Sequence, residues 1–189
     1  MATDEVLGQL GLEPREYFLY VSRLEPENNA LLVREAFEKV RTPLKLALIG
    51  DAPYAADYIR QVRSTADPRI VIPGAIYGQG YRELGSNCFA YIHATEVGGT
   101  HPALIEAMGR GALTIYLDTP ENAEVAGGAG VAFTYENLAE VLEMVLQMPE
   151  GEREMWRARA AERVRSRYSW DRVTDAYETL LTRLACGAG

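Results

Sequence analysis

Short apolar runs separated by helical periods set the rhythm of this chain. Six runs, at 17–22, 45–50, 69–72, 89–94, 113–117 and 131–134, are mostly continuous rather than alternating. Strands buried on both faces read this way, so each run is predicted as a strand of a covered sheet. Helical spacing fills the gaps at 30–40, where Leu32, Ala36, Phe37 and Val40 share a face, at 55–64 and at 102–110. The alternation predicts a single Rossmann-like α/β domain: a six-stranded, mostly parallel sheet with right-handed crossovers and helices on both faces.

The last third changes character. Leu138, Leu142, Val145 and Leu146 keep helical spacing, and 152–167 is dense in charge. Trp170, Val173, Tyr177, Leu180 and Leu184 then recur every three or four residues behind a capping Ser169 or Asp171. Three consecutive helices packed back on the sheet are predicted. Residues 1–16 read as a linker or leading helix, and 17–186 as the domain. Arg153, Arg157, Arg159, Arg163, Arg165 and Arg167 are interleaved with Glu152, Glu154 and Glu162. That mixture reads as a solvated helix face rather than a patch for anionic lipid.

Composition narrows the classes. With 189 residues, 48% hydrophobic and 24% charged, the chain is neither disordered, collagenous nor a small disulfide scaffold. A net charge of −8 argues against a broad basic surface, so no nucleic-acid partner is expected. Cys88 and Cys186 form no metal-ligand spacing, and Cys88 lies in an apolar run as a small core residue. The acidic start lacks the apolar stretch of a signal peptide, and no run approaches the ~18 apolar residues of a membrane span. A cytoplasmic location is the expectation, with membrane association through a partner domain as an open addition.

The candidate chemistry clusters after the fourth run, from Glu96 to Gly111. This segment leaves the carboxyl end of a parallel strand, the edge where open α/β sheets bind ligands. Gly98 and Gly99 permit a tight turn, and Pro102 suits the first position of a helix. The free N–H groups of that first turn would then form an anion site, supported by the helix dipole. Glu106, four residues after Pro102, shares its helix face and would accept hydrogen bonds from a sugar diol. The plain alternative is a surface glutamate after an ordinary turn. Arg23 leaves the first strand at the same edge, as a phosphate ligand or as a salt bridge to Glu25 or Glu27. His101 at the helix mouth would touch a phosphate or sugar hydroxyl, or serve as a simple cap.

Taken in order, these residues resemble the C-terminal, donor-binding domain of a GT-B fold glycosyltransferase of the retaining family 4 (group 1) type. The resemblance spans about 17–184. It is carried by the loop from Ser22 to Asn28, the Gly50 to Pro53 turn, Pro73 with Gly74, and above all Pro102 to Gly111. Asn122 with Glu124, Gly130, and Tyr168, Ser169 and Trp170 follow at the proper intervals. The resemblance implies that Arg23 binds the donor diphosphate and Glu106 the ribose. It implies that the backbone around Gly99, Thr100, His101, Ala103 and Leu104 cradles phosphates and donor sugar, and that Ile76 and its neighbours border the base. Asn28, Gly50, Glu96 and Gly98 complete the implied donor site. The implied reaction is hexosyl or deoxyhexosyl transfer from a nucleotide-diphosphate sugar without a bound metal or cofactor. No Asp-x-Asp is present, and no catalytic residue is assigned.

The sequence departs from the family in three ways. The lysine expected five residues after the arginine is Asn28, and the glutamate expected eight before Glu106 is Gly98, with Glu96 the nearest substitute. Pro26 to Asn29 and Val97 to Pro102 resemble a subgroup that includes bacterial rhamnosyltransferases of surface-polysaccharide synthesis, which implies dTDP-rhamnose as a candidate donor. Finally, a GT-B enzyme needs two Rossmann-like domains, and this chain has room for one, with no N-terminal acceptor domain; the expectation is an excised domain or one whose other half is a separate chain, binding donor alone without efficient turnover. A degenerate module that binds a nucleotide or a partner chain stays open. A dehydrogenase is excluded because Gly78 and Gly80 neither follow the first strand nor complete the fingerprint; a P-loop is absent. A Cys88/His93 catalytic pair is disfavoured because an offset of five puts them on opposite faces of one strand.

Overall fold

The computed structural model describes residues 5–187, so 1–4 of the predicted leading segment, with its acidic start, lie outside the described residues. All six predicted runs form strands: β1 Tyr17–Val21, β2 Lys45–Ile49, β3 Ile70–Gly74, β4 Ala90–His93, β5 Thr114–Leu117 and β6 Val131–Phe133. Every pairing is parallel and the order across the sheet is β3-β2-β1-β4-β5-β6. β3 runs two residues past its predicted end, through Pro73. It is an edge strand, where a missing N–H removes no ladder bond.

β1 shows why the runs are continuous. Phe18 and Tyr20 enter one core with α2 (Ala30–Lys39), α3 (Ala56–Arg63) and α7 (Leu138–Gln147). Tyr17 and Leu19 enter the opposite core with α1 (Glu5–Leu10), α4 (Gly78–Asn87) and α5 (Pro102–Gly109). All four side chains are buried, and each large apolar one contributes about 1.5–3 kcal/mol. A third cluster joins Leu104 and Met108 of α5 to Val125 of α6 (Pro120–Ala126) and Ala160 of α8 (Glu150–Arg167).

Two helices, α4 and α6, escape the sequence pattern, while the leading segment takes the helical one of its two readings over 5–10: Leu7 of α1 is buried, and its N–H donates to Glu83 Oε1 of α4 at 2.9 Å. α4 carries Gly78, Gly80 and Gly85, which dilute its apolar period. α6 is only seven residues long, opened by Pro120 behind the Thr119 cap and closed by Gly127 in the left-handed region.

The C-terminal helices require two corrections. The arginines of α8 are not simply solvated. Arg157 is buried, pairs with Glu150 and Glu154, and donates to Phe89 O at 3.4 Å, while Arg163 donates to Glu124 O at 2.6 Å. Their stems and donors clamp α8 to the domain. The last helix, α9 (Trp170–Ala185), forms as predicted, with Ser169 Oγ accepting from the Arg172 N–H at 3.4 Å. It buries none of its residues, however, so α7 and α8 pack back and α9 does not. Spacing shows that a helix face is apolar, not which surface covers it. Among the described residues no helix is long and apolar enough to cross a membrane.

Candidate functional site

The sheet order reverses direction between β1 and β4. β1 leads through α2 to β2 on one side, and β4 leads through α5 to β5 on the other. The loops leaving these two strands therefore diverge and open a crevice at the carboxyl edge. Both predicted clusters of chemistry sit on its lips.

The first lip is built from the loop after β1. Arg23 keeps 70% of its side chain exposed while its Nε lies 3.3 Å from Glu25 Oε2. The salt bridge offered as the alternative for Arg23 is thus present, yet the guanidinium still faces solvent. Tyr54 joins this group, with its hydroxyl on Glu25 and within 3.5 Å of Arg23 Nη1. The bond to Glu25 pushes the Tyr54 hydroxyl pKa up. A cleft of about 120 Å³ runs beneath Arg23, lined by Ser22, Gly50, Asp51, Ile76 and Tyr77 among others. Gly50 is required there by space as well as by its φ of +156°: a Cβ would sit 1.8 Å from Ser22 O.

Asn28 is placed differently from the expectation. It is buried, and its amide is used inside the fold: Nδ2 donates to Arg23 O at 2.8 Å, and Oδ1 accepts from Thr95 Oγ1 at 3.0 Å. Its neighbour Asn29, in the left-handed region at φ +59°, donates to Ala94 O at 2.9 Å and to Glu96 Oε2 at 3.2 Å. The Glu96 N–H donates to Glu27 O at 3.0 Å. These bonds tie the loop after β1 to the loop after β4. Asn28 is thereby a tie between the lips, and Glu96 is an exposed residue anchored at its base.

The second lip is the loop 96–101 with the start of α5. Gly98, Gly99 and Thr100 are exposed, Ala103 is half-buried, and Leu104 is fully buried in the third core cluster. The first turn of α5 offers fewer donors than expected. Pro102 has no N–H, and the Leu104 N–H is already directed to His101 O at 3.1 Å. The donors at the mouth are then the Ala103 amide and the backbone of 98–100. His101 is the N-cap residue of α5 without a side-chain capping bond, so the cap alternative fails. Its ring is buried edge-on to His93, with centroids 5.0 Å apart. Burial pushes the pKa of His93 down to about 3 and lowers that of His101.

Glu106 is half-exposed, and its Oε2 lies 3.3 Å from both terminal nitrogens of Arg110. Arg110 in turn covers the Tyr81 ring at 4.8 Å. The carboxylate is paired on one side and open to solvent on the other. Beyond the loop lies a second cleft of about 280 Å³, between Gly99 and Thr100 and the side chains of Glu121, Glu124, Arg167 and Tyr168.

Sequence reasoning missed Tyr54 and Thr95, weighed His93 only as a partner of Cys88, and met Asn29 only as the end of the Pro26 to Asn29 motif. The Gly50 to Pro53 turn was a signal for Tyr54; nothing local marked Thr95 or the role of Asn29 as a tie. Asn122, noted as a motif residue, is a fully buried tie, with Nδ2 donating to Thr95 O at 2.9 Å and Leu117 O at 3.0 Å. Cys88 shares a core cluster with Tyr91, on which His93 stacks at 6.4 Å. The opposite-face expectation fails because Cys88 precedes β4, where strict alternation does not hold. Burial pushes the Cys88 thiol up to about 12, which removes it as a nucleophile at neutral pH.

A parallel sheet with this order and this crevice defines a Rossmann-like α/β class of domain. The sequence carries the assignment further: it matches the family described as Glycosyl transferases group 1 over residues 15–149, and the chain belongs to that family. A search of the curated proteins found no match. Among solved structures, HepE (Alr3699) of Anabaena, in complex with UDP and glucose, has a TM-score of 0.82 at 17% identity over 95% of this chain and 51% of that one. Sucrose-phosphate synthase of Thermosynechococcus elongatus gives 0.79 at 18% identity, over 98% and 50%. The C-terminal domain of the group 1 glycosyl transferase LpcC of Francisella tularensis gives 0.74 at 15%, over 88% and 93%. The chain spans about half the length of HepE and of the synthase, and nearly all of the LpcC domain. The fold is that of the C-terminal half of a GT-B glycosyltransferase.

Proposed function

We propose that this chain binds a nucleotide-diphosphate sugar as the donor half of a retaining, metal-independent glycosyltransferase. The observation that carries the reading is the shared position of Arg23 and the 98–106 segment at the carboxyl edge of β1 and β4, in a chain of the group 1 family. HepE, similar in fold, is described with UDP and glucose, and that supports a nucleotide sugar as the ligand here.

In this reading the diphosphate lies between Arg23 and the mouth of α5. Its departure is helped by a guanidinium and backbone amides fixed where negative charge grows. Glu106 accepts from the ribose diol with the part of its carboxylate that Arg110 leaves open. Tyr77, exposed beside Ile76, borders the base. The transferred group is a hexose or deoxyhexose, with a rhamnosyl donor the subgroup candidate. The acceptor comes from a second Rossmann-like domain, and turnover by this half alone is poor. The work would be glycan synthesis on the cytoplasmic side.

The test is thermal unfolding of the chain against a panel of nucleotide diphosphates and nucleotide sugars, with and without a chelator. A ligand at about 100 times its Kd adds about 2.7 kcal/mol and raises the midpoint by roughly 5–10 °C. A base-selective shift that survives chelation supports the reading. No shift with any nucleotide sinks it and favours the second reading, a degenerate binding module. That alternative draws on the internal use of Asn28 and the glycine at 98.

A further inference from the structure

One buried polar atom beside the mouth of α5 has no hydrogen-bond partner, His101 Nε2. The His101 ring meets the His93 ring edge-on, and His93 behind it is supported by the side chain of Asn122, whose amide also bonds to Thr95 O. Buried polar groups are normally satisfied, so an unpaired imidazole nitrogen at a helix mouth marks a place that something else completes.

The two imidazoles differ in depth. His93 belongs to β4 and stacks between Tyr91 and His101. The glycine loop lies directly against His101: a Cβ at Gly98 would come within 2.8 Å of its Cε1. The titratable groups that face His101 are His93 from β4 and Glu121 from α6. Across the loop lie Glu124 and Arg167. Gly98 to Thr100 are exposed, so His101 is the imidazole next to the loop surface, while His93 lies behind it on β4.

The charge at the edge gives this a purpose. Arg23 is already shared with Glu25, and Asn28 stands, sealed into the fold, where the family resemblance implies a lysine. Asp51, Glu96 and Glu106 border the same edge. A diphosphate binding here needs another positive partner. We propose that His101 takes up a proton when the diphosphate of a nucleotide sugar binds at the mouth of α5, and so supplies the positive charge that Asn28 does not carry. This rests on the donor-site reading above. The proton comes from solvent, the neutral imidazole becomes imidazolium, and the diphosphate keeps its own charge. His93 stays neutral behind it, because two adjacent imidazolium ions repel.

The chain has two histidines, so NMR of the imidazole groups resolves both, with one His93→Gln variant for assignment. UDP-glucose, dTDP-glucose and GDP-mannose are the probes, since their diphosphates do not themselves titrate near neutral pH. In the free protein both rings are expected to be neutral at pH 7. In the saturated complex His101 alone becomes cationic, with its midpoint above about 7 against the usual ~6.5. Affinity is about three- to tenfold tighter at pH 6 than at pH 8, and His101→Gln binds equally at both. A complex that forms with His101 still neutral and no pH dependence overturns the inference and leaves the donor site standing. If none of the three probes binds, the donor reading falls and this inference with it. The wild-type spectra decide the matter even where a variant fails to fold.

Discussion

Thr95 donates its hydroxyl proton to Asn28 Oδ1 at 3.0 Å, fastening the loop after β4 to the loop after β1. The same amide holds Arg23 O through Nδ2 at 2.8 Å. Asn28 therefore sets the spacing of the crevice lips. A lysine there would bury an ammonium and leave Thr95 without its acceptor. Asn28→Lys is expected to cost about 2–4 kcal/mol of stability and to give no gain in nucleotide affinity. Thermal unfolding and calorimetric titration check both; an unchanged midpoint with tighter binding would mean the lysine turns outward as a ligand.

Arg23 is expected to behave oppositely. Its pair with Glu25 is solvent-exposed on the arginine side, and such pairs contribute about 0–1 kcal/mol. Charge-assisted bonds to phosphate are worth about 1.5–3 kcal/mol. Arg23→Ala should therefore unfold close to the parent while nucleotide diphosphate affinity falls about 10- to 100-fold. Parent-like binding would remove Arg23 from the site.

The buried His93 makes stability depend on pH. Its folded pKa of about 3 lies below the ordinary value of 6.5, so the unfolded chain binds the extra proton. The stabilisation is complete above pH 6.5 and is lost as pH falls toward 3. Between pH 7 and pH 5 the loss should be about 2 kcal/mol, from 1.36 kcal/mol per unit of pH. Denaturant unfolding across this range should show the slope, and His93→Leu should flatten it. An equal slope in the variant would assign the effect to carboxylates.

Arg157 anchors α8. Removing a buried guanidinium that holds Glu150, Glu154 and Phe89 O should cost about 2–4 kcal/mol. Arg165, exposed and paired with Glu162 one helix turn away, should cost under about 0.5 kcal/mol when changed to Ala. Equal losses for the two variants would refute the clamp.

What was legible in the sequence was whatever repeats or ends at a fixed place. Strands buried on both faces read as apolar runs, and Arg23 and Glu106 could be assigned to one sheet edge from their distance to a strand end or a helix start. The ties across the crevice were not legible. Asn28 meets Thr95, and Asn29 meets Ala94, more than sixty residues away with no period to announce it. Leu104 was read as part of the phosphate cradle because its backbone lies at the mouth, but its side chain points into the core. The arginines of α8 misled because charge reads as solvent until the carbonyls that receive it are known. The face of α9 is apolar in sequence and uncovered in the fold, and sequence alone had assigned it a cover.

The central place of β1 has a consequence for the order in which the chain is made. The partner of one edge of β1, β2, is synthesised soon after it, but the partner of its other edge is β4, as Phe18 aligns with Ala90 about seventy residues later. At translation rates of about 5–20 residues per second, that edge stays open for roughly 4–14 seconds. Throughout that interval an apolar strand offers an unpaired ladder to any neighbouring nascent chain. Synthesis speed over the α3–α4 region should then govern how much of the protein reaches the folded state and how much aggregates.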